Sequence, residues 1–197
     1  MIRCENIGLS FAGKPVFDNL DFSIEKGENV CLSAPSGKGK STLLKMLAGY
    51  VIPDRGQVVI DDKVLDTTTI RQIRDSMIWI PQNINLPVEN GVELMKLLHL
   101  PAHLQSVNGF LQKLGLEQDM IRMDFSKISG GEKQRIVISI CLSFEKEIIL
   151  IDEPTSSLDD DSIELLINTI QSLDRRTIVS ASHHQKWVES ADKVITL

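Results

Sequence analysis

A chain of 197 residues with 42% hydrophobic side chains can bury the core of one domain or of a compact two-lobed body. Its formal net charge of -6 and pI near 5.2 argue against a broad nucleic-acid-binding face, which needs clustered Lys and Arg, and leave room for a local basic pocket. Cys4, Cys31 and Cys141 lack metal-ligand spacing and read as reduced buried thiols, no apolar run is long enough to cross a bilayer, and Arg3 and Glu5 spoil a signal-peptide reading of the N-terminus.

Apolar and polar residues alternate through Ile2-Arg3-Cys4-Glu5-Asn6-Ile7 and again from Phe17 to Ile24, the period of two half-buried strands that should pair antiparallel. After a turn at Lys26-Gly27-Glu28, Asn29 to Ser33 reads as a short buried strand running into a glycine-bearing loop. Leu43, Leu44 and Leu47 then have helical spacing, ended by Gly49. Gly56 to Asp62 reads as a further strand and turn, and Trp79-Ile80 as a strand stopped at Pro81 before Gln82. From about Gly91 to Asp124 the pattern turns helical, with breaks at Pro101 and Gly115, which predicts a helical subdomain inserted at about residues 83 to 128 of a single domain spanning 1 to 197. Ser129 to Phe144 is a second helical segment. Glu147 to Asp152 is too short and too β-branched for a buried helix and predicts a central parallel strand. Thr177 to Ala181 and Lys193 to Leu197 repeat that strand character, with a helix from Asp161 to Leu173 before them. Strands alternating with helices imply a parallel sheet covered on both faces. No appended regulatory domain is expected after the strand that ends at Leu197.

The loop Ala34-Pro35-Ser36-Gly37-Lys38-Gly39-Lys40-Ser41-Thr42, between strand and helix, has the setting of a phosphate-binding loop. Its backbone N–H groups and the helix dipole can hold an anion, Lys40 would reach the β and γ phosphates, and the Ser41 hydroxyl would ligate Mg²⁺. Ala34 stands where the general pattern has its first glycine; a left-handed backbone there would cost roughly 1 to 2 kcal/mol, so a negative φ is expected. Asp152-Glu153 brings two carboxylates to the carboxyl edge of the sheet, with Asp152 suited to the Mg²⁺ shell and Glu153 to polarising a water, or else the pair caps a helix. Ser129-Gly130-Gly131-Glu132 opens a helix and is either a second phosphate site or an ordinary N-cap at Ser129. His99 and His103 have ligand-like spacing, but Pro101 between them disfavours a regular helix and a metal role.

The order of these pieces, with Gln82, the Ser156-Ser157-Leu158-Asp159 segment and His183, resembles the ATP-binding domain of the ABC transporter family, over about Phe11 to His183. The resemblance implies a P-loop NTPase core with a mostly parallel sheet, an N-terminal antiparallel β subdomain and an inserted helical subdomain. It implies that Phe11 stacks on adenine beside Val16, although Phe11 also suits a strand-end core position. It implies that Gln82 touches Mg²⁺ and the attacking water and couples to a membrane partner, and that His183 contacts the γ phosphate and steadies Glu153. Two copies would pair head to tail, so that Ser129, Gly130, Gly131 and Glu132 of one close over ATP bound by Ser36 to Thr42 of the other. Asp159 would cross that interface, or belong to a helix-start charge cluster. Departures are Ala34 for Gly, Ile128 for Leu, Glu132 for Gln, and His184 where Asp often follows.

The expected activity is ATP hydrolysis that powers an integral membrane permease subunit, on the cytoplasmic face of the membrane, with no nucleic-acid partner. Ile84, Leu86 and Val88 are candidates for the groove that meets the permease. A soluble ABC ATPase without transport is the second reading, disfavoured because the chain has neither a long coiled-coil insertion nor a tandem domain. A P-loop kinase is opposed by the Ser-Gly-Gly turn together with Glu153 and His183.

Overall fold

The computed structural model describes residues 1 to 100 and 103 to 197; the helix break expected at Pro101 lies outside them. The chain divides into two compact units, one of Met1–Trp79, Lys146–Pro154 and Asp174–Leu197, the other of Ile80–Glu145 and Thr155–Leu173.

The first unit holds two sheets. Strands β1 (Ile2–Phe11) and β2 (Lys14–Ile24) pair antiparallel, as their alternation predicts, with Ile2 opposite Ile24 and Cys4 opposite Phe22. The other edge of β1 carries β4 (Arg55–Ile60), which in turn pairs with the two-residue β5 (Lys63–Val64), giving the order β2-β1-β4-β5. The second sheet combines β3 (Asn29–Ser33), β6 (Met77–Ile80), β7 (Ile148–Asp152), β8 (Thr177–Ala181) and β9 (Lys193–Thr196) in the order β6-β7-β8-β3-β9. β3 runs parallel to β8 and β9, and β7 parallel to β8. Every residue of β7 and β8 is buried, which is why both read as near-continuous apolar runs rather than alternations.

Helix α1 (Lys40–Leu47) follows β3 after the loop that begins at Ala34 and buries Leu43, Leu44, Met46 and Leu47 into the core shared with Ile2, Ile7, Leu32, Leu150 and Val179. Truncating one such leucine costs about 2 to 5 kcal/mol through lost transfer and a residual cavity. Two short helices of this unit are absent from the periodicity: α2 (Ile70–Asp75) and α7 (Gln185–Glu189). Each buries one side chain, Ile73 and Trp187 respectively, so neither offers a repeat to detect.

The second unit is helical. It contains α3 (Gly91–Leu97), α4 (Leu104–Lys113), a 3-10 turn at Gln118–Arg122, α5 (Gly130–Leu142) and α6 (Asp160–Gln171). α4 stops at Leu114 and Gly115, where the sequence predicts a break. Buried residues surround α5 on all sides, from Ile136 through Leu142, as in a helix at the centre of its unit. Arg135 ties α5 to the end of α4 by donating from Nη1 to the Leu114 carbonyl at 3.0 Å.

Candidate functional site

Three segments of the first unit meet at the carboxyl edge of its parallel sheet: the 34 to 42 loop that leads from β3 into α1, the end of β7 and the end of β8. The loop turns on Gly37 and Gly39, at φ 80° and 94°. Gly39 answers to a second demand as well, since a Cβ there would lie 2.7 Å from Val16 Cγ1 and 2.9 Å from Phe17 Cζ. β2 thus packs against the N-terminus of α1 through Val16 and the buried Phe17, a contact the sequence pattern does not single out for Phe17. The nine non-glycine residues with positive φ, among those described, do not include Ala34. The negative φ expected of an alanine at the start of the loop is therefore met.

Lys40 is 7% exposed, a burial that an ammonium tolerates only with partners. It donates to the Ala34 carbonyl at 2.8 Å and lies 3.6 Å from Glu153 Oε1. Glu153 itself is buried, and its carboxylate receives His183 Nδ1 at 3.1 Å from both oxygens. The Glu153 backbone has φ 46°, a left-handed conformation that costs a non-glycine residue of order 1 to 3 kcal/mol and that clusters at functional sites. Its amide donates to the Ala181 carbonyl at 2.8 Å, so β8 fixes the backbone of Glu153 while His183, two residues further on, holds its side chain.

One residue earlier, Asp152 Oδ1 accepts from Ser41 Oγ at 2.9 Å. Burial pushes the Asp152 carboxyl above its ordinary range, against the opposing Ser41 hydrogen bond. A hydroxyl beside a carboxylate short of solvation offers oxygen donors to a hard divalent cation, which phosphate oxygens and water would complete. The alternative of a mere helix-capping acidic pair does not describe these residues: Asp152 ends β7, and Glu153 faces Lys40 and His183.

Phe11 ends β1 and is 51% exposed, which removes it from the core and leaves its ring open to a ligand. Ser36 and Lys38 are exposed on the loop, and Thr42 is half-buried in the first turn of α1.

The remaining candidates stand in the second unit. Ser129 caps α5 in a reciprocal capping box, its hydroxyl accepting from Glu132 N at 3.2 Å and its amide donating to Glu132 Oε2 at 2.7 Å. The Ser129 hydrogen bonds hold the Glu132 carboxyl below its ordinary range. Glu132 thus serves the helix cap. Gly131 is required by contact: a Cβ there would lie 2.6 Å from the Ser157 carbonyl oxygen. The cap therefore accounts for Ser129 and Glu132, and leaves the close approach at Gly131 as a separate constraint. Asp159 caps α6, accepting from Ser162 N at 2.8 Å, and hydrogen bonding from the Ser162 side chain and then its amide holds the carboxyl low. Gln82 is exposed and lines a small cavity with Asn83, Asn85, Gly130, Lys133 and Ser157. His103 Nδ1 sits 3.0 Å from the Ser143 carbonyl, a packing role away from these groups. Among the described residues no helix is long and apolar enough to cross a membrane.

Comparison with known proteins agrees with this geometry. Residues 17 to 156 match the family model for ABC transporters. The chain is 31% identical to the L-cystine transport system ATP-binding protein TcyN of Escherichia coli (strain K12), over 98% of this chain and 85% of that protein. It is 27% identical to the ATP-dependent permease MDL1 of Candida albicans, again over 98% of this chain but only 31% of that protein. Among solved structures, the ATP-binding cassette MJ0796, in a dimeric post-hydrolysis state bound to ADP and Pi, superposes with a TM-score of 0.88 at 25% identity, covering 100% of this chain and 94% of that one. A phosphate loop, a carboxylate pair at the sheet edge and a matching family model over most of the chain lead to one conclusion: the protein belongs to the ABC transporter family, as an ATP-binding and ATP-hydrolysing cassette.

Proposed function

We propose that this chain powers a membrane transporter by ATP-driven head-to-tail pairing of two copies, each coupled to an integral membrane permease subunit on the cytoplasmic face. The chain acts as one cassette over residues 1 to 197, with a helical subdomain at about 83 to 128. In the catalytic step, the amides of Ser36 to Thr42 and the Lys40 ammonium hold the triphosphate, and Phe11 with Val16 supports the adenine. Glu153 polarises the water that attacks the γ phosphate, and His183 orients Glu153 and touches the same phosphate. Ser41 and Asp152 would hold Mg²⁺, which supplies charge neutralisation at the phosphate oxygens. Gln82 would contact Mg²⁺ and the attacking water, as the resemblance to the family implies.

The lid over each ATP comes from the partner copy, through Ser129, Gly130, Gly131 and Glu132, with Asp159 beside it across the interface. One observation carries this reading: Lys40, Glu153 and His183 converge within hydrogen-bonding or ion-pair distance at the sheet edge where the phosphate loop ends. The relatives' names support the transport role, and the dimeric ADP-bound cassette supports pairing. The test is Glu153→Gln. Loss of the carboxylate base is expected to slow phosphate release by about 10² to 10⁴-fold while ATP binding persists and a stable dimer accumulates. Light scattering that finds only monomer at saturating ATP, or phosphate release at the parent rate, refutes the assignment.

A further inference from the structure

The phosphate loop is built unevenly. Its second half turns on Gly37 and Gly39, both at positive φ and both free of side-chain restriction. Its first half is Ala34-Pro35, a pair with little freedom. Ala34 carries a Cβ, which disfavours positive φ, and it precedes a proline, which disfavours the α region and biases its ψ towards extended values. Pro35 has its own φ fixed by its ring, and its carbonyl accepts from Lys38 N at 3.4 Å, closing the turn that leads into the glycines. Both dihedrals of Ala34 and the φ of Pro35 are therefore narrowed by covalent structure before any ligand arrives.

The carbonyl between these two residues is the one that Lys40 uses. Lys40 Nζ donates to Ala34 O at 2.8 Å within a buried setting, and its second neighbour is the Glu153 carboxylate at 3.6 Å. An ammonium has three donors, so with one on Ala34 O and one directed at Glu153 a third is left for a phosphate oxygen. Where that carbonyl points decides where the third donor points.

We propose that Ala34-Pro35 is a positioning element for nucleotide: the stiff pair locks the Ala34 carbonyl onto the Lys40 ammonium and so presets the cation for the triphosphate. The proposal rests on the ATP-binding reading of the loop and deepens it. A glycine at position 34, the residue expected there in the general pattern, would restore the missing backbone freedom, and the loop would have to be ordered by the nucleotide at the expense of affinity.

The experiment measures the Kd for Mg-ATP by calorimetry, turnover by phosphate release, and Tm, for the parent chain, Ala34→Gly, Pro35→Ala and Ala34→Ser. Ala34→Gly is expected to weaken binding by about fivefold, with turnover at saturating ATP within about twofold of the parent because Glu153 and His183 are untouched. Pro35→Ala should shift in the same direction. Ala34→Ser keeps a Cβ and the pre-proline restriction and should recover most of the affinity. A role in stability alone would lower Tm in the glycine variant and leave Kd where it was. The proposal is overturned if Ala34→Gly binds as tightly as the parent, if Ala34→Ser is as weak as Ala34→Gly, or if turnover falls in step with affinity. A parent chain with no affinity for Mg-ATP removes the ATP-binding reading as well; a parent that binds with an unchanged glycine variant removes the positioning role only.

Discussion

At the scale of single residues, the site turns on one buried carboxylate with two cationic or potentially cationic neighbours. Glu153 has Lys40 at 3.6 Å and His183 at 3.1 Å, and it adopts a backbone conformation that a non-glycine residue avoids unless its surroundings impose it. These contacts predict different outcomes for different deletions. His183→Ala removes the group that orients the carboxylate but leaves the ion pair with Lys40, so turnover should drop by roughly 10- to 100-fold, the usual cost of losing an orienting partner, with ATP affinity changed far less. Steady-state kinetics separate the two; equal losses in binding and turnover would mean that His183 serves the phosphates and not Glu153. Lys40→Ala leaves Glu153 buried without its ammonium and deprives the phosphates of theirs, and calorimetry should detect no nucleotide binding.

The turn that opens α5 has two separable duties, since Ser129 and Glu132 close the capping box while Gly131 admits the Ser157 carbonyl. Ser129→Ala should cost about 1 kcal/mol of stability through the lost cap. Gly131→Ala places a Cβ 2.6 Å from a backbone oxygen, which cannot yield as a flexible side chain can, so the turn must shift. If that turn is a lid for the partner's ATP, Gly131→Ala abolishes turnover and dimer formation while a single copy still binds ATP with the parent affinity; weakened binding by the monomer would place the turn in its own subunit's site.

Asn29 to Ser33 and Thr177 to Ala181 coincide with observed strands because their runs of buried apolar residues have no helical reading of that length. The cap at Ser129 is legible for the same local reason, a polar side chain just ahead of a periodic segment, whereas Asp159 reads only as part of a helix-start charge cluster or an interface residue. α2 and α7 were not, because one buried residue apiece leaves no period. Within the site, Lys40, Ser41, Asp152, Glu153 and His183 could be named from motif order, whereas the carbonyls of Ala34 and Ala181 could not. Backbone acceptors have no residue-type signature; only the fold says which carbonyl faces which donor.

For the whole molecule the question is what else it must touch. Ile84, Leu86 and Val88 are half-buried on a segment without regular structure that follows Gln82, and they remain the proposed contact with the permease. The protein's own thiols make this surface easy to probe. Cys4 and Cys141 are pushed up to about 12 by burial, and Cys31 is raised by the same cause, so none of them supplies a reactive thiolate near neutral pH. A cysteine introduced as Leu86→Cys would be the one thiol that is not fully buried, and it should cross-link to the permease in membranes prepared with the assembled transporter. Cross-linking that fails at Leu86 and succeeds at a distant control position moves the contact elsewhere.

The bond from the Glu153 amide to the Ala181 carbonyl extends the β7–β8 ladder one residue beyond Asp152, between two strands with no exposed position. Glu153, the proposed general base, is in that sense the last rung of the sheet's interior. Its amide deuterium uptake should then keep pace with the slowest strands, hours behind the surface loops, and a variant that lets β8 fray would speed that uptake before it altered any side chain in the site.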